Sequence, residues 1–293
     1  MGIQTRVWIA GSRPKTLPAA IVPVAVGYAT VVARADEPMT RIQNVVLALI
    51  VSLALQVGVN FANDYSDGVK GTDSRRVGPL RLVGSGLVPA PVVKRAAYLS
   101  FVVAALAGLA IAATTSWWLI AVGVVSIVAA WTYTGGPSPY GYLGFGELFV
   151  FVFFGVVATL GTTYAVSERV EAIDVVSSCV VGALAVGLLI VNNLRDIPTD
   201  AQAGKKTLAV RIGDRMTRWV YCAVIVLSAV GVASLASQRP WSGIALAGYV
   251  FAYSPVSRVV RGARGAELIP VLGGTARVQL VVGMLLAFGL VAS

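Results

Sequence analysis

Histidine is absent from this chain of 293 residues. That absence removes Ser-His-Asp hydrolases, His-dependent phosphatases, His-ligated haem and most His-containing zinc sites. Cysteine is scarce as well: Cys179 and Cys222 stand singly within apolar runs, offering neither a metal motif nor a disulfide framework. Charge is thin, and negative charge thinnest, with 13 Asp and Glu against 23 Lys and Arg. Only 12% of residues are charged, where a soluble domain carries about 25%, and 57% are hydrophobic. So few polar groups could not cover a surface in water. The composition describes an integral membrane protein whose chemistry falls to Asp, Asn, Lys, Arg and Tyr.

A helix needs about 20 mostly apolar residues to cross a bilayer. Nine segments qualify, running roughly 15–34, 43–63, 93–113, 117–134, 146–166, 172–194, 217–236, 240–258 and 268–291. They occupy most of the chain, so the expected architecture is a single all-α, polytopic transmembrane domain over residues 1–293. The opening MGIQTRVWIAGSRPK is polar and contains proline, and does not read as a secretory signal. Loops on the N-terminal side hold 18 cations, and those opposite hold only Arg34, Arg41, Arg169 and Arg239. Cytoplasmic loops carry the excess of Lys and Arg, which places the N-terminus in the cytoplasm of a multi-pass cell-membrane protein. Arg277 falls inside the last span and is expected to snorkel or pair. Two long connections, about 64–92 and 195–216, lie on the cation-rich side, so a site should open there.

Each connection begins alike. Span two ends in QVGVNFANDYSDGVKGTD and span six in LLIVNNLRDIPTDAQAGKKTLAV. Asn60 precedes Asp64 by four residues and Asn192 precedes Asp196 by four, which puts each pair on one helix face. A second carboxylate follows each, Asp67 and Asp200, and then lysines, Lys70 in one segment and Lys205–Lys206 in the other. Carboxylates clustered at a bilayer edge repel unless a cation lies between them. Asp and Asn oxygens suit Mg²⁺, which is commonly held by a few carboxylates plus substrate phosphates. Carboxylates for the metal and lysines beside them fit a magnesium-bound diphosphate.

Two other motifs fail. AGKKT at 203–207 resembles the end of a P-loop, but the glycine required five residues before Gly204 is Thr199. DYSDG at 64–68 opens like a CDP-alcohol phosphotransferase motif, but VKGT follows it and the pattern stops. A secondary transporter, with related halves and polar helix ends, is the reading from another class. Transporters place polar groups near the bilayer midplane, whereas here, Arg277 apart, the middles of the spans lack charge.

The sequence resembles the UbiA superfamily of intramembrane prenyltransferases, within it the branch that uses 1,4-dihydroxy-2-naphthoate in menaquinone biosynthesis. Five segments carry the likeness: RPKTLPAAIVPV, NDYSDGVKGTD, GPLRLVGSGLV, YTGGPSPYGYLGFGELFVFVFFG and NNLRDIPTDAQAGKKTLAVRIG. The resemblance implies nine helices in a ring around a lipid-open cavity, with Mg²⁺ as the ion and a polyprenyl diphosphate as donor. It implies 1,4-dihydroxy-2-naphthoate as acceptor, alkylated with loss of CO₂ to demethylmenaquinone; 4-hydroxybenzoate or another phenol is the alternative. No nucleic-acid partner is expected.

Carried over residue by residue, the resemblance implies Asp64, Asp67, Asp196, Asp200 and Asn63 as metal ligands. Lys70, Lys205, Lys206, Arg13, Arg195, Asn60 and Asn192 are the expected diphosphate-binding residues. Many relatives place a lysine four residues after the tyrosine that ends helix four. Here Tyr133 is followed by TGGP, so another of these cations must complete the shell. Asp73 follows a glycine-containing insertion, which leaves its place in the motif open. Tyr133, Glu147 and Lys205 are the catalytic candidates. The tyrosine face would shelter a carbocation, the carboxylate would orient the acceptor and the lysine would stabilise the leaving group.

Overall fold

A computed structural model describes residues 3–34, 41–71 and 80–293. Asp73 lies outside the described residues. The chain opens with α1 (Ile3–Ser12) and α2 (Pro18–Val32), and the helical path bends by 51° between them. Arg13 makes the break with φ 53°, a left-handed conformation that side chains resist. Pro14 then starts a short 3-10 turn, and Pro18 opens the next helix where a missing N–H costs nothing. There follow α3 (Ile42–Val69), α4 (Ala90–Thr114) and α5 (Leu119–Thr132). The next span, Gly146–Ser167, is built from α6 (Gly146–Val150), a π-helical turn over Phe151–Val157 and α7 (Ala158–Ser167). Then come α8 (Ala172–Gln202), α9 (Leu208–Gln238), a tightly wound stretch Pro240–Ala252 leading into α10 (Tyr253–Val260), and α11 (Leu268–Ala292). α9 breaks at Gly213, whose φ of 77° only glycine adopts readily.

Among the described residues seven helical segments are long and apolar enough to span a membrane, or eight if the bent α1–α2 pair counts as one span. The fourth expected span is the apolar helix α5, only 14 residues long, so length and composition alone give seven or eight rather than nine. The two long connections are also shorter than expected. α3 runs on to Val69 and α8 to Gln202, so Asp64, Asp67, Asp196 and Asp200 belong to helices. Asp64, Ser66 and Asp67 of α3 and Asn193, Arg195 and Asp196 of α8 are buried as each helix carries on to an exposed end at Val69 or Gln202. After α8 only residues 203–207 remain before α9 begins.

α8 and α11 form the centre: two thirds of the apolar window of α8 is buried and over half of that of α11, against 28% for α9. Val22 and Val26 of α2, Val181 and Leu184 of α8, and Val278 and Val282 of α11 share one core. A smaller core joins Phe61 and Ala62 of α3, Val93, Ala97 and Phe101 of α4, and Leu82 from the loop between them. Arg277 is exposed on α11. At the opposite end from the Asp-bearing turns, Arg34 pairs with the fully buried Asp174 at the start of α8. The π turn touches α8 backbone to backbone: a Cβ on Gly155 would lie 2.3 Å from Gly182 Cα. Gly155→Val must push the two helices apart, at about 1–3 kcal/mol for overpacking. A melting temperature several degrees below wild type in detergent is the expected result.

Candidate active site

The face of α3 that enters the site is not the one the Asn60–Asp64 spacing suggested. Asn60 donates to Ser12 O at 2.9 Å and to Thr16 Oγ1 at 3.0 Å, bracing the α1–α2 break. Asp64 is fully buried, and its two oxygens accept backbone N–H groups of Leu82 and Val83 at 2.8 and 3.0 Å. The neighbouring face, with Asn63 and Asp67 four residues apart, lines a small polar cleft. From α8, Asn192, Asp196 and Asp200 line the same cleft, again at four-residue spacing.

The cleft is held together by charge. Asp67 Oδ1 accepts from Lys205 Nζ at 2.8 Å and from Tyr142 Oη at 2.5 Å, while Asp67 Oδ2 lies 3.7 Å from Arg81 Nη2. Lys205 Nζ also lies 3.9 Å from Asp200 Oδ1, so one lysine joins both motifs. The Tyr142 ring carries two ammonium groups, Lys205 at 4.6 Å and Lys70 at 4.7 Å from its centroid. Lys70 Nζ donates to Thr134 O at 3.0 Å, and burial lowers its pKa while Asp67 opposes that shift. Arg195 forks onto both oxygens of Asp196 at 2.7 Å and reaches Asn192 Oδ1 at 2.7 Å. Thr134 Oγ1 donates to Asn63 Oδ1 at 2.7 Å.

Beside the cleft is an apolar cavity of about 730 Å³. Arg13, Asn63, Arg81, Tyr133 and Asn192 line both, so the polar cleft opens directly onto the apolar space. Two aromatic clasps frame one side of the cavity. At the cleft end, Tyr140 donates to Ala129 O at 2.9 Å and stacks on Phe149 at 3.8 Å. At the far end, Trp118 Nε1 donates to Tyr164 Oη at 3.2 Å. Between the clasps, Gly123 and Val124 of α5, Phe153 and Phe154 of the π turn and Gly161 of α7 line the cavity. Val124, which lines the cavity, is 56% exposed. Nothing lies within 4 Å of a Cβ placed on Gly123 or Gly161.

The expected residues therefore divide. Asn63, Asp67, Asn192, Asp196, Asp200, Lys205, Arg13 and Tyr133 line the cleft. Asn60 borders only the large cavity, and Asp64 borders neither. Lys206 holds Tyr142 O through its backbone N–H at 2.8 Å, but its side chain is exposed. Arg195 backs Asp196 from behind the cleft wall. Glu147 also lies outside both linings, buried, with Oε1 accepting from Asn193 Nδ2 at 2.9 Å. Its neighbour Gly146 packs on the ring of Tyr133. Arg81 and Tyr142 were not singled out by motif reasoning, although both fall within segments that carry the resemblance.

Among the described residues no three carboxylates converge as a ready-made metal site. The donor set still fits Mg²⁺, which is usually bound through one or two carboxylates with phosphates and water completing its shell.

A sequence model of the UbiA prenyltransferase family matches residues 20–272. The chain belongs to this family. A relative from Mycobacterium tuberculosis named 1,4-dihydroxy-2-naphthoate octaprenyltransferase is 48% identical, over 96% of this chain and 97% of its own. An Escherichia coli protein of the same name is 34% identical, over 99% of this chain and 96% of its own. In fold, this UbiA-family chain matches a UbiA homolog from Archaeoglobus fulgidus bound to GPP and Mg²⁺, with TM-score 0.68 and 14% identity. That match covers 98% of this chain and all of the other. A UbiA homolog from Aeropyrum pernix matches with TM-score 0.69 and 12% identity, covering 91% of this chain and 95% of that one.

Removing the lysine that joins the two motifs tests the geometry. Lys205→Met is expected to raise the KM for an anionic donor by at least about tenfold, since a buried charge-assisted bond is lost and Asp67 loses a partner. Steady-state kinetics in solubilised membranes check this.

Proposed function

We propose that this UbiA-family enzyme transfers a polyprenyl group from polyprenyl diphosphate to 1,4-dihydroxy-2-naphthoate, giving demethylmenaquinol, the reduced form of demethylmenaquinone. The observation that carries the reading is the junction itself, where a cleft of carboxylates and cations opens onto a large apolar cavity. A molecule with a diphosphate head and an isoprenoid tail matches both halves. The relatives at 48% and 34% identity, similar along almost their whole length, support the naphthoate as acceptor.

The reaction breaks the allylic C–O bond, with its electron pair leaving on pyrophosphate. A new C–C bond forms at the ring carbon bearing the carboxylate, and CO₂ departs from that carbon. Asp67 with Asn63 on α3, and Asp196 or Asp200 with Asn192 on α8, are the donors from which one or two carboxylates would hold Mg²⁺, with phosphate and water completing its shell. Bound there, the ion neutralises charge developing on the leaving group. Lys205, Lys70 and Arg13 supply further positive charge to the diphosphate. Tyr133 stands where cleft meets cavity and offers a ring face to the allylic cation. Glu147, fixed by Asn193, holds the helix start that backs this ring. The tail runs along the apolar cavity toward the gap between the aromatic clasps, where it meets lipid.

The topology belongs to the same proposal. α5, the fourth span in chain order, brings the number to nine, the cation-rich loops are cytoplasmic and the cleft faces the cytoplasm of a cell-membrane protein.

The deciding experiment gives membranes holding the protein a labelled polyprenyl diphosphate with 1,4-dihydroxy-2-naphthoate or 4-hydroxybenzoate. Prenylated, decarboxylated naphthoate is the expected product, and product from the phenol alone would move the enzyme to another branch. Activity should vanish in EDTA and return with Mg²⁺. Gly123→Phe fills open space on the tail's path. It is expected to lower kcat/KM for a long-chain donor by about tenfold or more while geranyl diphosphate changes by no more than about threefold.

A further inference from the structure

Asp64 occupies a motif position but is oriented away from the cleft. The residues that it binds are seated in a slot of their own. A Cβ on Gly11 would lie 2.6 Å from Leu82 Cδ1, and one on Gly68 would lie 2.4 Å from Val83 Cγ1. Leu82 is fully buried, in the core formed with Phe61, Val93 and Ala97. The turn that follows closes on itself, with Gly86 N–H donating to Val83 O at 2.9 Å and Val88 N–H to Leu82 O at 3.0 Å. Arg81, immediately before the two clamped amides, reaches Asp67 and borders both cleft and cavity.

A carboxylate is the side chain suited to this task. It accepts two backbone N–H groups at once, one on each oxygen, whereas an asparagine amide has one acceptor and turns an NH₂ toward the second N–H. Such bonds gain strength where water is excluded. On α3, Asp64 shares its face with Asn60, which braces the α1–α2 break, while Asn63 and Asp67 share the cleft face.

We propose that Asp64 is a positioning residue, not a ligand of ion or diphosphate: it clamps the loop at residues 82–83 so that Arg81 is presented to the anion in the cleft. The presentation of Arg81 to an anion rests on the prenyltransferase reading above, and the clamp itself does not.

The test compares Asp64→Asn, Asp67→Asn and Gly68→Ala in the full-length, membrane-extracted protein. Gly68→Ala displaces Val83 without touching an acidic residue, so it disturbs the clamp if Asp64→Asn does not accumulate. Asp64→Asn and Gly68→Ala should each raise donor KM roughly tenfold while the Mg²⁺ concentration for half-activation stays within about twofold. Trypsin should cleave after Arg81 several times faster in both. Asp67→Asn should instead shift the Mg²⁺ requirement. Arg81→Gln should add little loss to Asp64→Asn, because the two act through one contact. A Mg²⁺ requirement that shifts in Asp64→Asn as in Asp67→Asn, full additivity with Arg81→Gln, or unchanged trypsin cleavage would each overturn the proposal. Wild type inactive with every donor would overturn the prenyltransferase reading instead, and the trypsin comparison would still decide the clamp.

Discussion

Every buried carboxylate at the cleft needs a partner, and the rest of the site follows from how that need is met. Asp67 is almost wholly withdrawn from solvent at the end of an apolar helix. An unpaired charge there would cost several kcal/mol. Among the described residues its partners include Lys205 after α8, Tyr142 before α6, and Arg81 from the loop after α3. Satisfying one aspartate therefore ties the two Asp-bearing helices and two connecting segments into one wall. The same attraction gathers three cations, Arg13, Arg81 and Lys205, opposite three carboxylates around the cleft, an arrangement suited to receiving an anion that brings its own metal.

The apolar half obeys the opposite constraint. A long isoprenoid tail needs volume without polar groups, and helices pack tightly unless something holds them apart. The two aromatic clasps, Tyr140 with Ala129 and Phe149, and Trp118 with Tyr164, fasten α5 to the α6–α7 span only near its ends. Between them Gly123 and Gly161 leave space unfilled. On the opposite side of that span Gly155 lets the π turn sit directly on Gly182 of α8, drawing the wall away from α5. Glycine thus serves two ends in one span, close approach on one face and open space on the other.

Much of this was legible in the sequence because membrane constraints are coarse. Apolar runs located the helices, and a paucity of charge made each Asp near a helix end conspicuous. On α8 the four-residue spacing picks out Asn192 and Asp196, and both line the cleft. On α3 the pair that lines the cleft, Asn63 and Asp67, starts three residues after the Asn60–Asp64 pair of equal spacing. Asn60–Asp64 and Asn63–Asp67 have the same spacing, and spacing alone does not say which of two adjacent helix faces points inward. Only the packing of α1 and of residues 82–83 against α3 decides that. Helix ends were misjudged for a related reason: Asp64 to Val69 looks like solvated loop until its buried partners are known. Arg81 and Tyr142 are not marked as site residues by spacing, because they are remote in sequence from the aspartate that they serve.

The two motifs also differ in where their cations originate, and that difference accounts for the acid on α3 that faces away from the cleft. In α8 the neutralising charge is the adjacent residue, Arg195, which forks onto Asp196 from within the same helix. α3 carries no cation before its C-terminal cap at Lys70, so Asp67 must borrow from elsewhere. Lys205 arrives on the short, well-defined connection after α8, whose backbone is pinned by Lys205 N–H to Asp200 O at 2.8 Å. Arg81 arrives on a longer connection, and a long side chain on a long loop has many other places to be. Fixing it requires the loop to be fastened close to the arginine. Asp64, one position along the helix from the cleft face, supplies two bonds to the two residues that follow Arg81. The second motif has no such need, because its arginine is already held by the helix.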